Sequence, residues 1–237
     1  MKNPLFFAIV GSVVFVCLSA PAGAASVTIE NAGFEDPVMS DGAYTVGNVG
    51  VWGHIGNADT RGVWNPDATG DVFYGYGGAA PEGWNVGYVQ GSNGEDPNPY
   101  YPGGFAQVLA ATLTDATQYE LTVQVGNNFY YSGGMYAIEL LAGGSLADNG
   151  GQITAGTVLA AITGAADDIA EDTFELKTLT FDSTGVDAGL LGQNLQIRLY
   201  VTEGGEVDFD DVILTPEPAT LGLLSMGALA LSRRKRK

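Results

Sequence analysis

Residues 119–125 read Y-E-L-T-V-Q-V, a stretch in which apolar and polar side chains alternate without interruption. A period of two places successive side chains on opposite faces of an extended chain, so that one face is buried and the other solvated. The same alternation recurs over residues 136–140 and 195–202. These three stretches predict β-strands.

Further strands are predicted between clusters of Gly, Asn, Asp and Pro, and they cover residues 27–30, 104–112, 157–162, 174–181 and 207–214. Short strands at this spacing favour a sandwich. We therefore expect an all-β fold, a single jelly-roll β-sandwich over residues 26–214, with helices only in an N-terminal signal segment and a short C-terminal hydrophobic segment. Residues 36–102 show weak periodicity and are expected to form long loops with few short strands, a kind of region that often carries function.

The N-terminus has the features of a secretory signal peptide over residues 1–25. Lys2 supplies a positive charge, residues 5–18 form an apolar core, and residues 22–24 make a cleavage site of the A-x-A type. Cys17 lies in the apolar core and is the only cysteine. Since it would be removed with the signal, we expect neither a disulfide nor a thiolate metal site in the mature chain.

The part between the two terminal segments is strongly acidic. Residues 26–214 hold 26 of the 27 acidic residues but only three of the nine cations, which gives them a formal charge of −23. Such a surface repels nucleic acid and anionic membranes, so neither is expected to bind this part. It attracts divalent cations, although solubility in a wet matrix would explain the charge equally well.

The last 23 residues, 215–237, combine three segments in a fixed order. They begin with the motif Pro216-Glu217-Pro218, whose prolines predict an extended and exposed backbone. An apolar run of good helix formers follows, at about 13 residues shorter than the ~20 that span a bilayer. The chain ends in five cations, which would remain on the cytoplasmic side. They are Arg233, Arg234, Lys235, Arg236 and Lys237.

This tail resembles the PEP-CTERM sorting signal of Gram-negative bacteria that produce exopolysaccharide, a segment also named after ice-binding proteins. The resemblance implies export, tethering to the inner membrane through the C-terminal helix, and recognition by an exosortase-type transpeptidase near the Pro-Glu-Pro motif. The cell surface or the extracellular matrix would be the final location. An ordinary tail anchor or an amphipathic terminal helix is the alternative, but a bare anchor has no need of the motif.

The central part resembles the galactose-binding-like jelly rolls, a superfamily that includes many carbohydrate-binding modules. The motifs that carry the resemblance are V-T-I-E-N-A-G-F-E-D-P from residue 27 and V-D-F-D-D-V-I-L from residue 207. In that superfamily a structural calcium often joins an acid after the first strand to an acid in the last, and the matching residues are Glu35 with Asp210 or Asp211. Adjacent residues of a strand point to opposite faces, so at most one of the two aspartates is expected to join Glu35. The alternative is an acid that caps backbone amides.

Aromatic residues gather in the loop-rich region 36–102. Sugar rings present apolar faces that stack on indole and phenol rings. The candidates for carbohydrate binding are Trp52, Trp64, Trp84, Tyr100 and Tyr101. A role in the core is the alternative for each of them.

Several reaction types are excluded by the sequence. His54 is the only histidine, expected in a loop, so a two-histidine metal site is impossible. There is no G-x-S-x-G elbow and no phosphate-binding glycine loop, and no spacing singles out a carboxylate pair. We therefore expect a non-catalytic protein that binds extracellular polysaccharide. The alternatives are a structural or adhesive matrix protein without a small ligand and, less favoured, a glycoside-active enzyme.

Overall fold

The computed structural model describes residues 25–47, 49–56, 61–66, 80–91, 103–131, 133–146 and 153–218. The strands in these residues are β1 (Tyr44–Val46), β2 (Gly53–Ile55), β3 (Arg61–Trp64), β4 (Val86–Gln90), β5 (Gly103–Thr112), β6 (Thr117–Asn127), β7 (Met135–Ala142), β8 (Ser145–Leu146), β9 (Ile153–Thr154), β10 (Thr157–Ala165), β11 (Thr173–Asp182), β12 (Asn194–Glu203) and β13 (Glu206–Pro218). Two short 3-10 turns cover Phe129–Tyr131 and Ala166–Asp168. The helices expected in the signal segment and in the C-terminal apolar run lie outside the described residues.

The strands build two antiparallel sheets. One sheet has six strands in the order β1-β3-β4-β13-β6-β11, and the other has five in the order β10-β7-β12-β5-β2, while β8 and β9 form a separate hairpin. The last described strand, β13, therefore lies between β4 and β6 in the middle of its sheet. The all-β jelly-roll sandwich that the sequence predicts is confirmed.

Side chains from the inner faces of both sheets form one core. The alternation predicted on β6 is present, because Tyr119, Leu121, Val123 and Val125 are buried and the residues between them are not. An aromatic cluster joins the core where Phe34 packs against Trp52 and Phe105, with ring centroids 5.3 and 4.9 Å away.

The loop-rich region 36–102 contains more strand than expected. Its described parts include β1 to β4, and β3 and β4 pair with each other. Strands of three to five residues are too short for alternation to identify them. His54, expected in a loop, lies in β2 and is buried.

The last strand is longer than predicted. β13 continues beyond residue 214 to Pro218, and its final residues pair with β6, Thr215 opposite Glu120 and Glu217 opposite Gln118. The Pro-Glu-Pro motif is therefore extended, as expected, and Glu217 is exposed, but the motif is paired with β6 and Pro216 is half-buried.

Candidate functional site

A cavity of about 250 Å³ lies on the face of the six-stranded sheet that turns away from the core. Val63, Val89 and Val207 point into the core from β3, β4 and β13, so their neighbours on each strand point outward. These outward side chains line the cavity together with residues of β1 and of the segment after β6. The lining residues are Tyr44, Val46, Trp64, Tyr88, Gln90, Asn128, Tyr131 and Glu206.

Glu206 lies at the floor of the cavity and forms a buried acidic pair with Asp208 behind it. The two residues lie two positions apart on β13 and therefore share its outward face. Their side chains hydrogen-bond to each other. Because two carboxyl groups in contact do not both ionise readily, the pair holds a proton.

Two amide side chains fix the position of Glu206. Gln90 Nε2 donates to its Oε2 at 2.7 Å, and Asn128 Nδ2 donates to its Oε1 at 3.0 Å. Burial raises the pKa of Glu206 to about 7, although the hydrogen bonds from Gln90, Asn128 and Asp208 act to lower it. A carboxyl group with this pKa both donates and accepts a proton near neutral pH, as a general acid–base catalyst requires.

Aromatic rings form the wall above the acidic pair. Trp64 and Tyr88 pack together with Val86 in a cluster separate from the main core, and Trp64 Nε1 donates to Asp208 Oδ1 at 3.4 Å. The Tyr88 hydroxyl donates to the carbonyl oxygen of Thr45 at 2.9 Å and so ties β4 to β1. Together, the rings and the carboxyl pair can hold a flat, apolar ligand next to a proton donor.

A second cleft is acidic and lies beside the bulged part of β13. Glu35, Glu82 and Asp211 line it. The structure thus brings Glu35 together with Asp211, as the sequence allowed, and adds Glu82, which sequence reasoning missed. The strand alternation fails here because the register shifts between Asp210 and Ile213 and Asp211 has a φ of 47°.

The acids of this region bind the backbone of one turn. Glu35 Oε1 accepts hydrogen bonds from the amides of Trp84 and Asn85 at 2.8 and 2.7 Å, and Asp210 Oδ2 accepts one from the amide of Glu82 at 2.8 Å. Burial raises the pKa of Asp210 to about 8, and the negative charges of Glu82 and Asp211 act in the same direction.

These acids fit calcium in their chemistry, because carboxylate and amide oxygens are the ligands that Ca²⁺ prefers. Their spacing does not by itself form a metal site. In the described part of the chain, no three acidic, histidine or cysteine side chains are close enough to hold a metal ion. The calcium site at Glu35, Asp210 and Asp211 therefore stays a prediction.

The aromatic residues predicted to bind carbohydrate do not share one surface. Trp52 is only 3% exposed and packs in the core, where its indole nitrogen donates to the Asn31 carbonyl oxygen at 2.8 Å. Trp64 is buried beside the cavity, whereas Trp84 is 71% exposed on the turn bound by Glu35. Tyr100 and Tyr101 lie outside the described residues.

Sequence reasoning missed the residues of the cavity floor. A usable signal was present, because residues 206–210 read E-V-D-F-D and place three acids on one face of a strand whose other face is apolar. Gln90 and Asn128 gave no such signal, since their contacts with Glu206 join residues 116 and 78 positions apart.

The sorting tail is only partly described. Pro216, Glu217 and Pro218 end β13, and the cations from Arg233 to Lys237 lie outside the described residues. No helix in the segments that the structure covers is long and apolar enough to cross a membrane.

Comparison with known proteins identifies both parts of the chain. Residues 25–215 match the family model described as HpiC1 cyclase, and residues 214–237 match that of the PEP-CTERM protein-sorting motif. A Stig cyclase, Fisc from Fischerella sp. TAU, solved with (3Z)-3-(1-methyl-2-pyrrolidinylidene)-3H-indole, is 33% identical with a TM-score of 0.65, and the match covers 83% of this chain and 99% of that one. A cyclase from Fischerella sp. TAU, solved with 4-(1H-indol-3-yl)butan-2-one, is 34% identical with a TM-score of 0.64 over 83% and 99% of the two chains. No curated protein matches significantly.

These matches correct the functional prediction. The sequence predicted a non-catalytic polysaccharide-binding protein, and this is wrong because the family model and the solved relatives are those of cyclases, which are enzymes. The resemblance of the tail to the PEP-CTERM signal is confirmed, and with it the expectation of processing by an exosortase.

Proposed function

Because the chain belongs to the HpiC1 cyclase family, we propose that it is a sorted, exported cyclase that closes a ring within an indole-bearing substrate. The observation that carries the proposal is Glu206, a buried carboxyl group with a pKa of about 7 at the floor of an aromatic cavity. Catalysis by such a group needs no cofactor, since ring closure by isomerisation neither oxidises nor reduces the substrate.

Glu206 acts first as the acid. It donates its proton to an unsaturated or basic atom of the substrate, and the π electrons of a second unsaturated group then form the new ring bond. The resulting cation loses a proton to the Glu206 carboxylate, which restores the enzyme. Product and substrate therefore have the same composition, and one proton is given and taken back.

The rings of Trp64 and Tyr88 stabilise this cation by cation–π interaction, worth about 0.5–2 kcal/mol for each ring. Gln90 and Asn128 hold the carboxyl group in one orientation, so that the proton is delivered to one position of the substrate. The hydrogen bond from Asp208, behind Glu206, favours the charged form of Glu206 and so stabilises the carboxylate that remains after proton donation.

An indole-bearing substrate is proposed because both solved relatives hold an indole compound. The cavity volume of about 250 Å³ is slightly below the ~300–1,000 Å³ of pockets that bind drug-sized ligands, so the substrate is expected to be smaller than such ligands. The exposed rings of Tyr44 and Tyr131 at its mouth offer further stacking surface.

The test uses the purified full chain and a series of indoles that carry an unsaturated side chain. We expect a product of unchanged mass and altered retention, and a rate lower by about 10²–10⁴-fold in Glu206→Gln, the range typical of a lost general acid. Glu203→Gln removes an exposed carboxyl group close by and is the matched control. If 4-(1H-indol-3-yl)butan-2-one does not bind and no indole of the series is isomerised, the proposed function is wrong.

We also propose a structural calcium ion in the acidic cleft that Glu35, Glu82 and Asp211 line. No three of these carboxyl groups are close enough to share an ion, so at most two of them would bind it, with backbone carbonyl oxygens as further ligands. The formal charge of −23 on residues 26–214 supports it, because this charge raises the local concentration of divalent cations. The ion would join the first described segment to the last strand. No step of the reaction requires it.

The route of the protein is the last part of the proposal. A signal peptide over residues 1–25 directs export, the segment 215–237 tethers the chain to the inner membrane, and an exosortase-type transpeptidase acts near the Pro-Glu-Pro motif. The catalytic domain over residues 26–214 would then reach the cell surface or the surrounding matrix. Mass spectrometry of the protein recovered from cells tests both ends at once, and an intact chain in the cytosol would contradict this route.

A further inference from the structure

The Pro-Glu-Pro motif is the end of a paired β-strand. Pro216 lies opposite Tyr119, Glu217 opposite Gln118, and Pro218 opposite Thr117, all on β6. No linker separates the motif from the folded domain, because β13 runs without a break from Glu206 to Pro218. A processing enzyme therefore meets the motif as part of a sheet.

The prolines occupy positions at which this sheet needs no N–H group. The amide of Val27 donates to the carbonyl oxygen of Leu214 at 2.7 Å, so the backbone groups of Leu214 point away from β6. Backbone groups alternate in direction along an antiparallel strand, so those of Thr215 and Glu217 point toward β6 and those of the two prolines point outward. Proline is tolerated at such an outward-facing edge. The same three residues can thus be a sorting motif and a strand.

We propose that the strand end formed by residues 215–218 must separate from β6 before the processing enzyme can bind the motif. Enzymes and domains that bind extended peptides use hydrogen bonds to the peptide backbone. The inward-facing backbone groups of the motif are used by β6, and its outward edge has no N–H donor at either proline. Neither edge of the paired strand therefore offers a processing enzyme a complete set of backbone hydrogen-bonding groups.

The packing of β13 defines how far the strand end can open. Leu214 is fully buried and bridged to Val27, whereas Thr215 and Pro216 are only partly buried and Glu217 is exposed. Opening of residues 215–218 can therefore stop at Leu214 and leave the buried side chains of β13 in place. Four extended residues then reach about 13 Å from the sheet. The folded domain thus controls access to its own sorting motif, and this inference rests on the sorting tail alone, not on the proposed cyclase activity.

A disulfide that closes the strand end tests the proposal. Gln118 and Glu217 face each other across β6 and β13 and are both exposed, so cysteines at these positions can join without disturbing the core. Opposite residues of an antiparallel pair lie about 4.5–5.5 Å apart between Cα atoms, within the range that a disulfide spans. The matched control is Glu120→Cys with Thr180→Cys, a pair that joins β6 to β11 and leaves β13 free. The only native cysteine, Cys17, lies in the predicted signal segment.

The full-length variants are expressed in a host that contains an exosortase, and loss of the tail is measured by mass spectrometry. Processing breaks one backbone amide and passes its carbonyl carbon to water or to an amine. We expect the oxidised Gln118→Cys/Glu217→Cys chain to be processed on the order of tenfold more slowly than wild type, since the strand end then opens only with larger unfolding. A reducing agent added to isolated membranes should restore the rate, and the control pair should be processed like wild type under both conditions. Processing of the oxidised variant at the wild-type rate, with its disulfide intact in the product, would overturn the proposal.

Discussion

Burial raises the pKa of Glu206, and Asn128 opposes this effect through one hydrogen bond. Its Nδ2 donates to Oε1 at 3.0 Å, and this bond favours the charged carboxylate. Asn128→Ala should therefore raise the pKa of Glu206 above its value of about 7, by roughly 0.7 for a bond worth about 1 kcal/mol. The measurement is a carbon-13 NMR titration of the glutamate carboxyl carbons.

The control for this prediction is Gln118→Ala, which removes an exposed amide from the same sheet. Gln90→Ala should act like Asn128→Ala, because Gln90 binds the other oxygen of Glu206 at 2.7 Å. A lower pKa for Glu206 in either variant would show that burial and hydrogen bonding do not compete as described.

Gly62 determines how three strands of the site fit together. A Cβ atom at this position would clash with the carbonyl oxygen of Thr45 and would lie 2.6 Å from the hydroxyl oxygen of Tyr88. Because the first contact is with backbone, β1 must move if residue 62 has a side chain. We expect Gly62→Ala to lower the stability by about 2 kcal/mol and Tm by roughly 4–8 °C, and to weaken binding of 4-(1H-indol-3-yl)butan-2-one.

Gly189→Ala is the matched control for the change at Gly62. Its nearest contact would be Asp187 Oδ1 at 3.4 Å, an ordinary van der Waals distance. Both Tm values and the ligand affinity can be measured on the same preparations. If Gly62→Ala has the Tm and the ligand affinity of wild type, β1 does not pack against Tyr88 as described.

The length of each strand decided how well the sequence predicted it. β6 has 11 residues and alternates along its length, so its position and its buried face were predictable. β1 and β2 have three residues each, too few for alternation, and they were assigned to loops. The site depends on short strands, because Tyr44 of the three-residue β1 and Trp64 of the four-residue β3 line the cavity.

The burial of a side chain was harder to predict than the position of the strand that carries it. Trp52 and Trp84 occur in similar glycine-rich surroundings, yet one is 3% and the other 71% exposed. Glu206 was not singled out because its environment comes from Gln90 and Asn128, which are distant in sequence. Local pattern predicts the face of a strand, whereas the chemistry of that face depends on contacts between strands.

At the scale of the whole molecule, the acidic cleft predicts a response to calcium. Removal of Ca²⁺ with a chelator should lower Tm, because Glu35 and Asp211 then repel each other across the cleft without a cation. For Asp211→Asn, the difference in Tm between the calcium and chelator samples should be smaller than for wild type. Asp187→Asn, a change in the turn between β11 and β12, should retain the full difference in Tm. A chelator that leaves the wild-type Tm unchanged would reject the ion.

Glu206 also predicts how the stability of the whole molecule depends on pH. The pKa of Glu206 is raised from 4.5 to about 7 by burial, so the folded state retains the proton that the unfolded state loses. Below pH 4.5 both states are protonated and the contribution of Glu206 is fully present. Between pH 4.5 and 7 only the unfolded chain ionises, and the free energy of unfolding falls by on the order of 3 kcal/mol. Tm should therefore fall by roughly 6–12 °C as the pH rises through this window.

Asp210, whose pKa burial raises to about 8, and repulsion among the many surface acids act in the same direction, so a variant must separate the contribution of Glu206 from these. Glu206→Gln has no proton to lose, and its Tm should fall less than that of wild type between pH 4.5 and 7. Glu203→Gln, which removes an exposed carboxyl group, should keep the wild-type slope. Differential scanning calorimetry at matched ionic strength gives all three slopes. Equal slopes in wild type and Glu206→Gln would mean that Glu206 is ionised in the folded chain throughout this range, and an ionised Glu206 could not serve as the acid in ring closure.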